Sequence, residues 1–186
     1  RSAAISIICN VREPLGKEFF DYAPRTIALR AEALLRESGI ADTAYFGPEL
    51  EFFTFDDVRF QQDANAGFYS VDSSEGAWNT GRTEEGGNRG YKTQPKQGYY
   101  PMSTDKQSDM RMEMSEMLKH FGMSVETLHH EVAAAQAEID MRYDTLTAMA
   151  DKASWYKYVI RKVAERHGKT ATFMPKPLKG DNGSGM

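Results

Sequence analysis

The chain has 186 residues, 40% hydrophobic and 27% charged, which supports a core for one domain, or one domain and part of another, and excludes disorder and collagen-like repeats. Lys and Arg number 23 against 27 Asp and Glu, a net charge of -4 without the basic footprint of a phosphate-backbone binder, so no nucleic-acid partner is expected. The single Cys9 can form neither an internal disulfide nor a thiolate zinc site, and a reducing, cytoplasmic setting is the expectation.

The longest apolar run, 3–9, is far short of the roughly 20 residues of a membrane span and lacks the layout of a signal peptide. Neither insertion nor targeting is expected. Within it Ile5, Ile7 and Cys9 predict a short strand, and Pro14, Gly16 and Pro24 then punctuate a connecting segment suited to a domain boundary. Ile27, Ala31, Leu34 and Leu35 fall at helical spacing over 25–38, with Pro24 before the first turn and Gly39 at the C-terminal cap. Segments 43–46 and 49–55 read as strands around Gly47-Pro48. The polar, glycine-bearing stretch 65–98, with Gly81, Gly86 and Gly87 among its glycines, is too long for an idle connection, and a hairpin or a functional loop is expected there.

Met110, Met114, Met117, Leu118 and Phe121 form an apolar stripe on a second helix, starting near Ser103 or Asp105 and ending at Gly122. Segments 125–131 and 136–141 alternate as two antiparallel strands joined through Ala133-Ala134-Ala135. A long helix follows from Leu146 to His167, closed by Gly168, and 170–174 returns as a strand. Hairpin-like neighbours favour an α+β fold, a largely antiparallel sheet with packed helices. Arg1 opens inside an apolar stretch and 180–186 is a loop with no element after it, so a segment of a longer protein is expected.

Glu49 and Glu51 leave the same face of their predicted strand, with Leu50 on the other. An acid pair of this kind is commonly a solvated edge. Here Phe52, Phe53 and Phe55 place the strand in a core, where unpaired carboxylates are costly unless a cation offsets them. A tight link between the two later strands would bring Glu131 near Glu138. Carboxylate-rich clusters suit hard cations such as Mg²⁺ or Mn²⁺, and therefore metal-assisted phosphoryl chemistry. His129 and His130 point to opposite faces, so at most one meets the acids. His120 and His167 sit at helix ends, where the macrodipole favours them. No GxxxxGK[ST] or GxGxxG motif is present, and by itself Asp181-Asn182-Gly183-Ser184-Gly185 reads as a turn.

In order along the chain stand Tyr45-Phe46-Gly47-Pro48-Glu49-Leu50-Glu51-Phe52-Phe53, Gly98-Tyr99-Tyr100-Pro101, and His129-His130-Glu131-Val132-Ala133 leading to Gln136-Ala137-Glu138-Ile139-Asp140. Last comes Gly168-Lys169-Thr170-Ala171-Thr172-Phe173-Met174-Pro175-Lys176-Pro177 with Gly180-Asp181-Asn182-Gly183-Ser184-Gly185-Met186. Over essentially its whole length the chain resembles glutamine synthetase of the bacterial type I kind. The resemblance implies ATP-dependent ligation of ammonia to L-glutamate through a γ-glutamyl phosphate. By motif, Glu51, Glu131 and Glu138 would hold one divalent cation, Mg²⁺ or Mn²⁺, and Glu49 would contribute to a second. Glu126, His129 and Tyr143 would lie at the ATP, Asn182 and Gly183 at glutamate, and Tyr99 with Glu131 at the ammonium pocket.

The resemblance also implies domain limits: 1–16 as the end of an N-terminal β-grasp-like domain and its linker, and 17–186 as the first half of the catalytic domain. It implies a homododecamer of two stacked hexamers, with a histidine metal ligand, arginines and a glutamate flap beyond Met186, so that these residues alone would be inactive. Three features depart from the family pattern: a shortened segment after Pro101, a Glu131–Glu138 spacing one residue shorter than in many members, and Leu128 where a third histidine commonly stands. A γ-glutamyl-amine ligase of the same fold, a non-catalytic structural or regulatory relative, and a generic metal-dependent phosphatase or nuclease are the rival readings.

Overall fold

In the computed structural model, residues 5–79, 88–99 and 105–186 are described. The elements are α1 (Pro24–Glu37), β1 (Tyr45–Phe46), β2 (Glu51–Phe55), β3 (Asp57–Gln62), β4 (Gly67–Asp72), α2 (Ser108–His120), β5 (Val125–His130), β6 (Gln136–Met141), β7 (Asp144–Thr145), α3 (Leu146–Arg166) and β8 (Thr170–Thr172). They divide into two compact units, Arg1–Gly47 with Tyr143–Ser154, and Pro48–Arg142 with Trp155–Met186. Among the described residues no helix is long and apolar enough to cross a membrane.

In the first unit, α1 starts with Pro24 in its first turn and stops before Gly39 at φ +68°. Proline lacks an N–H that would be orphaned there anyway, and glycine takes the left-handed backbone at no steric cost. Glu32 of α1 accepts the backbone N–H of Thr147 at 3.0 Å, giving an orphan donor at the start of α3 a charged partner. Arg25 forms an ion pair with Asp151 at 3.0 Å. β1 and β7 pair antiparallel, and Tyr45 meets Tyr143 edge to face at 5.3 Å.

The predicted strand over Ile5–Cys9 is not observed; Ile5 and Ile7 are 90% and 76% exposed. A strand exists only through a ladder with a neighbour, and no described segment pairs with these residues. The bridge closest to them joins Arg12 and Phe19.

The second unit is built on an antiparallel sheet in the order β5-β6-β2-β8. Alternation along β2 sends Phe52 to one face and Phe53 and Phe55 to the other. Phe52 packs edge-on against Tyr156 of α3 and tilted against Phe173, and the Tyr156 hydroxyl donates to the Leu50 carbonyl at 2.9 Å. Phe53 and Phe55 pack with Ala133, Ala134, Ala135 and Leu178. All three phenylalanines and Leu50 are fully buried, each contributing about 1.5–3 kcal/mol. This explains why β2, predicted as a strand, carries no solvated face.

On α2, Met110, Met114 and Leu118 are buried as the stripe requires, while Phe121 lies beyond the helix and is exposed. Asp105 accepts the Gln107 N–H at 2.9 Å just before the helix; Ser103 falls outside the described residues. The polar stretch 65–98 holds β4, whose partner β3 begins at Asp57, earlier than the sequence pattern indicates. Gly81, Gly86, Gly87, Tyr100 and Pro101 also fall outside the described residues.

The link from β5 to β6 ends in Ala135 at φ +64°. A left-handed backbone costs an L residue roughly 1–2 kcal/mol. Replacing Ala135 by glycine removes that cost and restores about 0.5–1 kcal/mol of unfolded-chain entropy. Because the buried Ala135 methyl also packs in the Phe53–Phe55 cluster and is worth about 0.8 kcal/mol, Ala135→Gly is expected to change stability by no more than about 1 kcal/mol in chemical denaturation, and a larger destabilisation would count against the left-handed conformation described.

Candidate active site

The sheet register assembles the site. His129 of β5 stands opposite Glu138 of β6, and Glu138 stands opposite Glu51 of β2. Three strands thus place one imidazole and two carboxylates in a row on one face, where directly opposed side chains come within about 4.5–5.5 Å at Cβ. Glu131, two residues beyond His129, joins the same face. His129 Nδ1 lies 3.4 Å from Glu131 and its Nε2 lies 3.4 Å from Glu138. Ligating atoms of His129, Glu131 and Glu138 all fall within 4.8 Å of one another.

The electrostatics are those of crowded acids. Burial first, then Asp140, Glu131 and Glu51, push Glu138 up to about 8. Burial, with the charges of Glu131 and Glu49, also raises Glu51, against the opposing hydrogen bond from Gly185. Like charges opposed across strands destabilise a sheet, and a buried carboxylate without a cation tends to keep its proton. Three oxygen-bearing acids and one imidazole form a donor set that fits a hard divalent cation with some tolerance for nitrogen. The residues present therefore fit a metal.

Further side chains fix this arrangement. Gln136, 1% exposed, accepts the Ala133 N–H at 3.1 Å through its carbonyl and donates from its amide nitrogen to Glu51 at 2.6 Å. The backbone N–H of Gly185 donates to the other Glu51 oxygen at 2.8 Å. Glu131 accepts the Val132 N–H at 2.9 Å. On the opposite side of β5, both ring nitrogens of His130 face acceptors, Glu75 at 2.9 Å and the Glu131 carbonyl at 2.5 Å. Burial opposes its charged form, but Glu75 outweighs it and the His130 pKa is raised.

The remaining predicted residues are distributed as follows. Glu49 precedes β2 instead of sharing the strand, because the ladder with β6 begins at Glu51; it is exposed, yet close enough to act on the Glu51 charge. Tyr99 is 58% exposed and lies edge-on to His129 at 5.3 Å. Glu126 is exposed where the β5 register shifts between Val125 and Thr127. Tyr143 belongs to the first unit, against Tyr45. The 180–186 loop doubles back on Pro175, whose carbonyl accepts the Ser184 N–H at 2.7 Å. A Cβ on Gly183 would come 2.6 Å from that same oxygen, so only glycine passes there. Asn182 is half-buried, and its N–H is held by Asp181 at 3.0 Å.

Sequence reasoning did not assign Glu75, Gln136 or Asp140 to the site. The strand register was the signal available for Gln136 and Asp140, since both share the Glu138 face by alternation. Glu75 carried none.

A family profile described as the glutamine synthetase catalytic domain matches residues 21–186. The chain is 56% identical over 178 residues to a glutamine synthetase of Frankia alni, covering 95% of this chain and 38% of that protein. It is 49% identical over 186 residues to that of Escherichia coli strain K12, covering 99% and 40%. A cryo-EM structure of Plasmodium falciparum glutamine synthetase superposes with a TM-score of 0.84 at 29% identity, over 92% of this chain and 34% of that one. The chain thus spans about two-fifths of the length of these bacterial relatives. With this match across nearly its whole length, on a mixed helix and antiparallel-sheet architecture, the chain belongs to the glutamine synthetase family, within its catalytic domain.

Proposed function

We propose that the full-length protein ligates ammonia to L-glutamate at the expense of ATP, through a γ-glutamyl phosphate. The observation that carries this reading is the row His129, Glu138, Glu51 across three strands, with Glu131 beside it. Glu51, Glu131 and Glu138 would hold one Mg²⁺ or Mn²⁺, with the His129 imidazole beside Glu131 and Glu138, and Glu49 would contribute to a second. When bound, such cations offset the charge on a transferring phosphoryl group and orient its oxygens.

The chain's own residues do the rest. Gln136 and the Gly185 N–H hold Glu51 by both oxygens, which fixes its orientation. The ring of Tyr99 beside His129 and the negative charge of Glu131 form a surface that attracts ammonium, and Glu131 accepts the proton that ammonium must lose before its nitrogen attacks. By the family motifs, Asn182 and Gly183 would lie at glutamate, and Glu126 and His129 at the nucleotide.

Domain limits at 1–16 and 17–186, assembly as two stacked hexamers and a cytoplasmic location are part of the same proposal; family membership supports the first two and the free, exposed Cys9 the last. The test is ADP release by the full-length protein with glutamate and ammonia, against methylamine and putrescine. Turnover dependent on ammonia, glutamate and divalent metal is expected. Preference for an organic amine would reassign the enzyme to γ-glutamyl-amine synthesis, and absence of both metal binding and turnover would leave a non-catalytic relative.

A further inference from the structure

Glu75 lies between β4 and α2, outside every motif that carries the family resemblance. It is 2% exposed. One of its oxygens, Oε2, accepts two hydrogen bonds, from His130 Nε2 and from the backbone N–H of Ala135, both at 2.9 Å. His130 is the last residue of β5, and Ala135 is the last before β6. A single atom therefore spans both feet of the connection that carries Glu131 and leads into Glu138. His130 extends the grip, since its Nδ1 donates to the carbonyl of Glu131 itself.

The connection needs such a grip. Ala135 holds φ +64°, a conformation that persists in a non-glycine residue only when its surroundings over-determine it. Its N–H is taken by Glu75, and its carbonyl accepts the Thr54 N–H of β2 at 2.8 Å. From the other side the Gly98 N–H donates to the Val132 carbonyl at 2.9 Å. A Cβ on Gly98 would come 2.4 Å from the Glu131 carbonyl and 2.9 Å from the His130 ring, so no side chain fits between them. An apolar residue in place of Glu75 would fill the same space at a lower desolvation cost. What the carboxylate adds is direction.

We propose that Glu75 is a positioning residue of the candidate metal centre: by bridging His130 and Ala135 it sets the β5–β6 connection so that Glu131 and Glu138 are presented at ligating separation. This rests on the reading of His129, Glu131 and Glu138 as metal ligands. Groups that orient ligands without touching the ion typically govern 10–100-fold of metal affinity.

Mn²⁺ binding by the full-length protein, read from loss of the free-ion paramagnetic resonance signal, tests the assignment when paired with the metal-free melting temperature of each variant. Glu75→Met keeps roughly the volume but, unlike glutamine, whose carbonyl oxygen has two lone pairs, offers no oxygen to accept either bond. It is expected to bind Mn²⁺ about 10–100-fold more weakly. The Glu75→Met/His130→Gln double variant should be no weaker than Glu75→Met alone, because the pair acts through one bridge. Ile160→Val, in the packed core, should lower the melting temperature and leave Mn²⁺ affinity unchanged.

An unchanged Mn²⁺ affinity in folded Glu75→Met, or additive losses in the double variant, overturns the positioning role. If Glu75→Met does not fold, His130→Gln, which keeps the Ala135 bond, carries the same test: weaker Mn²⁺ binding supports the bridge and unchanged binding overturns it. Failure of the metal-site reading is distinguishable, because then Glu138→Gln would bind Mn²⁺ as tightly as the wild type.

Discussion

Glu138→Gln in the full-length protein is expected to lower kcat/KM by more than about 100-fold, beyond the range for groups that only orient ligands, while raising the stability of the metal-free protein. The two effects have one cause. Glu138 stands between Glu51 on β2 and His129 on β5, with Asp140 and Glu131 adding negative charge. With a cation bound, its carboxylate serves the chemistry. Without one, it is a buried acid facing other acids, and the neutral amide of similar shape relieves that repulsion. The metal-free melting temperature at pH 8 should therefore rise by roughly 2–4 °C for each kcal/mol gained, as scanning calorimetry would record. Full activity in this variant, or a lowered metal-free melting temperature at pH 8, would remove Glu138 from the site.

Chelation of metal from the wild-type protein is expected to lower its melting temperature, and increasingly so as pH rises. The sign follows from Glu138, which is raised from an ordinary 4.5 to about 8, and from Glu51, raised in the same direction. An acid whose folded pKa lies above its unfolded one favours folding while protonated. That contribution is full below about pH 4.5 and is lost as pH passes through about 8, because the folded state is then made to carry the buried charge. A divalent cation binds the carboxylate form and replaces the proton. Melting temperatures measured from pH 5 to pH 8.5 with chelator and with Mn²⁺ should therefore diverge as pH rises. Calorimetric titrations of Mn²⁺ at pH 7 in buffers of different ionisation enthalpy should show close to one proton released from Glu138. Parallel melting curves, or binding without proton release, would mean that these acids do not meet the metal.

Much of the scaffold is legible in residue order because its determinants are local. Pro24 and Gly39 bracket α1 through their own backbone limits, and β6 follows from alternation over Gln136–Met141. The short apolar segment at Ile5–Cys9 misled for the complementary reason: alternation signals a strand only if a partner strand exists to pair with it, and pairing is not a local property. The hairpin of β3 and β4 was legible only in part, since Asp57–Gln62 is mostly exposed and has no buried face to impose a pattern.

The residue types and their motif order are enough to identify the family and to nominate Glu49, Glu51, Glu131 and Glu138. Which groups share a face is a different kind of fact. It depends on the antiparallel register that sets Glu138 against both Glu51 and His129, and a slip of one residue would send each side chain to the other face. The same holds for Glu75, whose partners lie 55 and 60 positions away and are joined to it by hydrogen bonds that leave no periodicity behind. The sequence by itself determined the chemistry available to this protein, since composition and motif are carried residue by residue. Only the tertiary structure decided the geometry, because burial, repulsion and hydrogen-bond direction arise between segments that the folded sheet alone brings within a few ångströms.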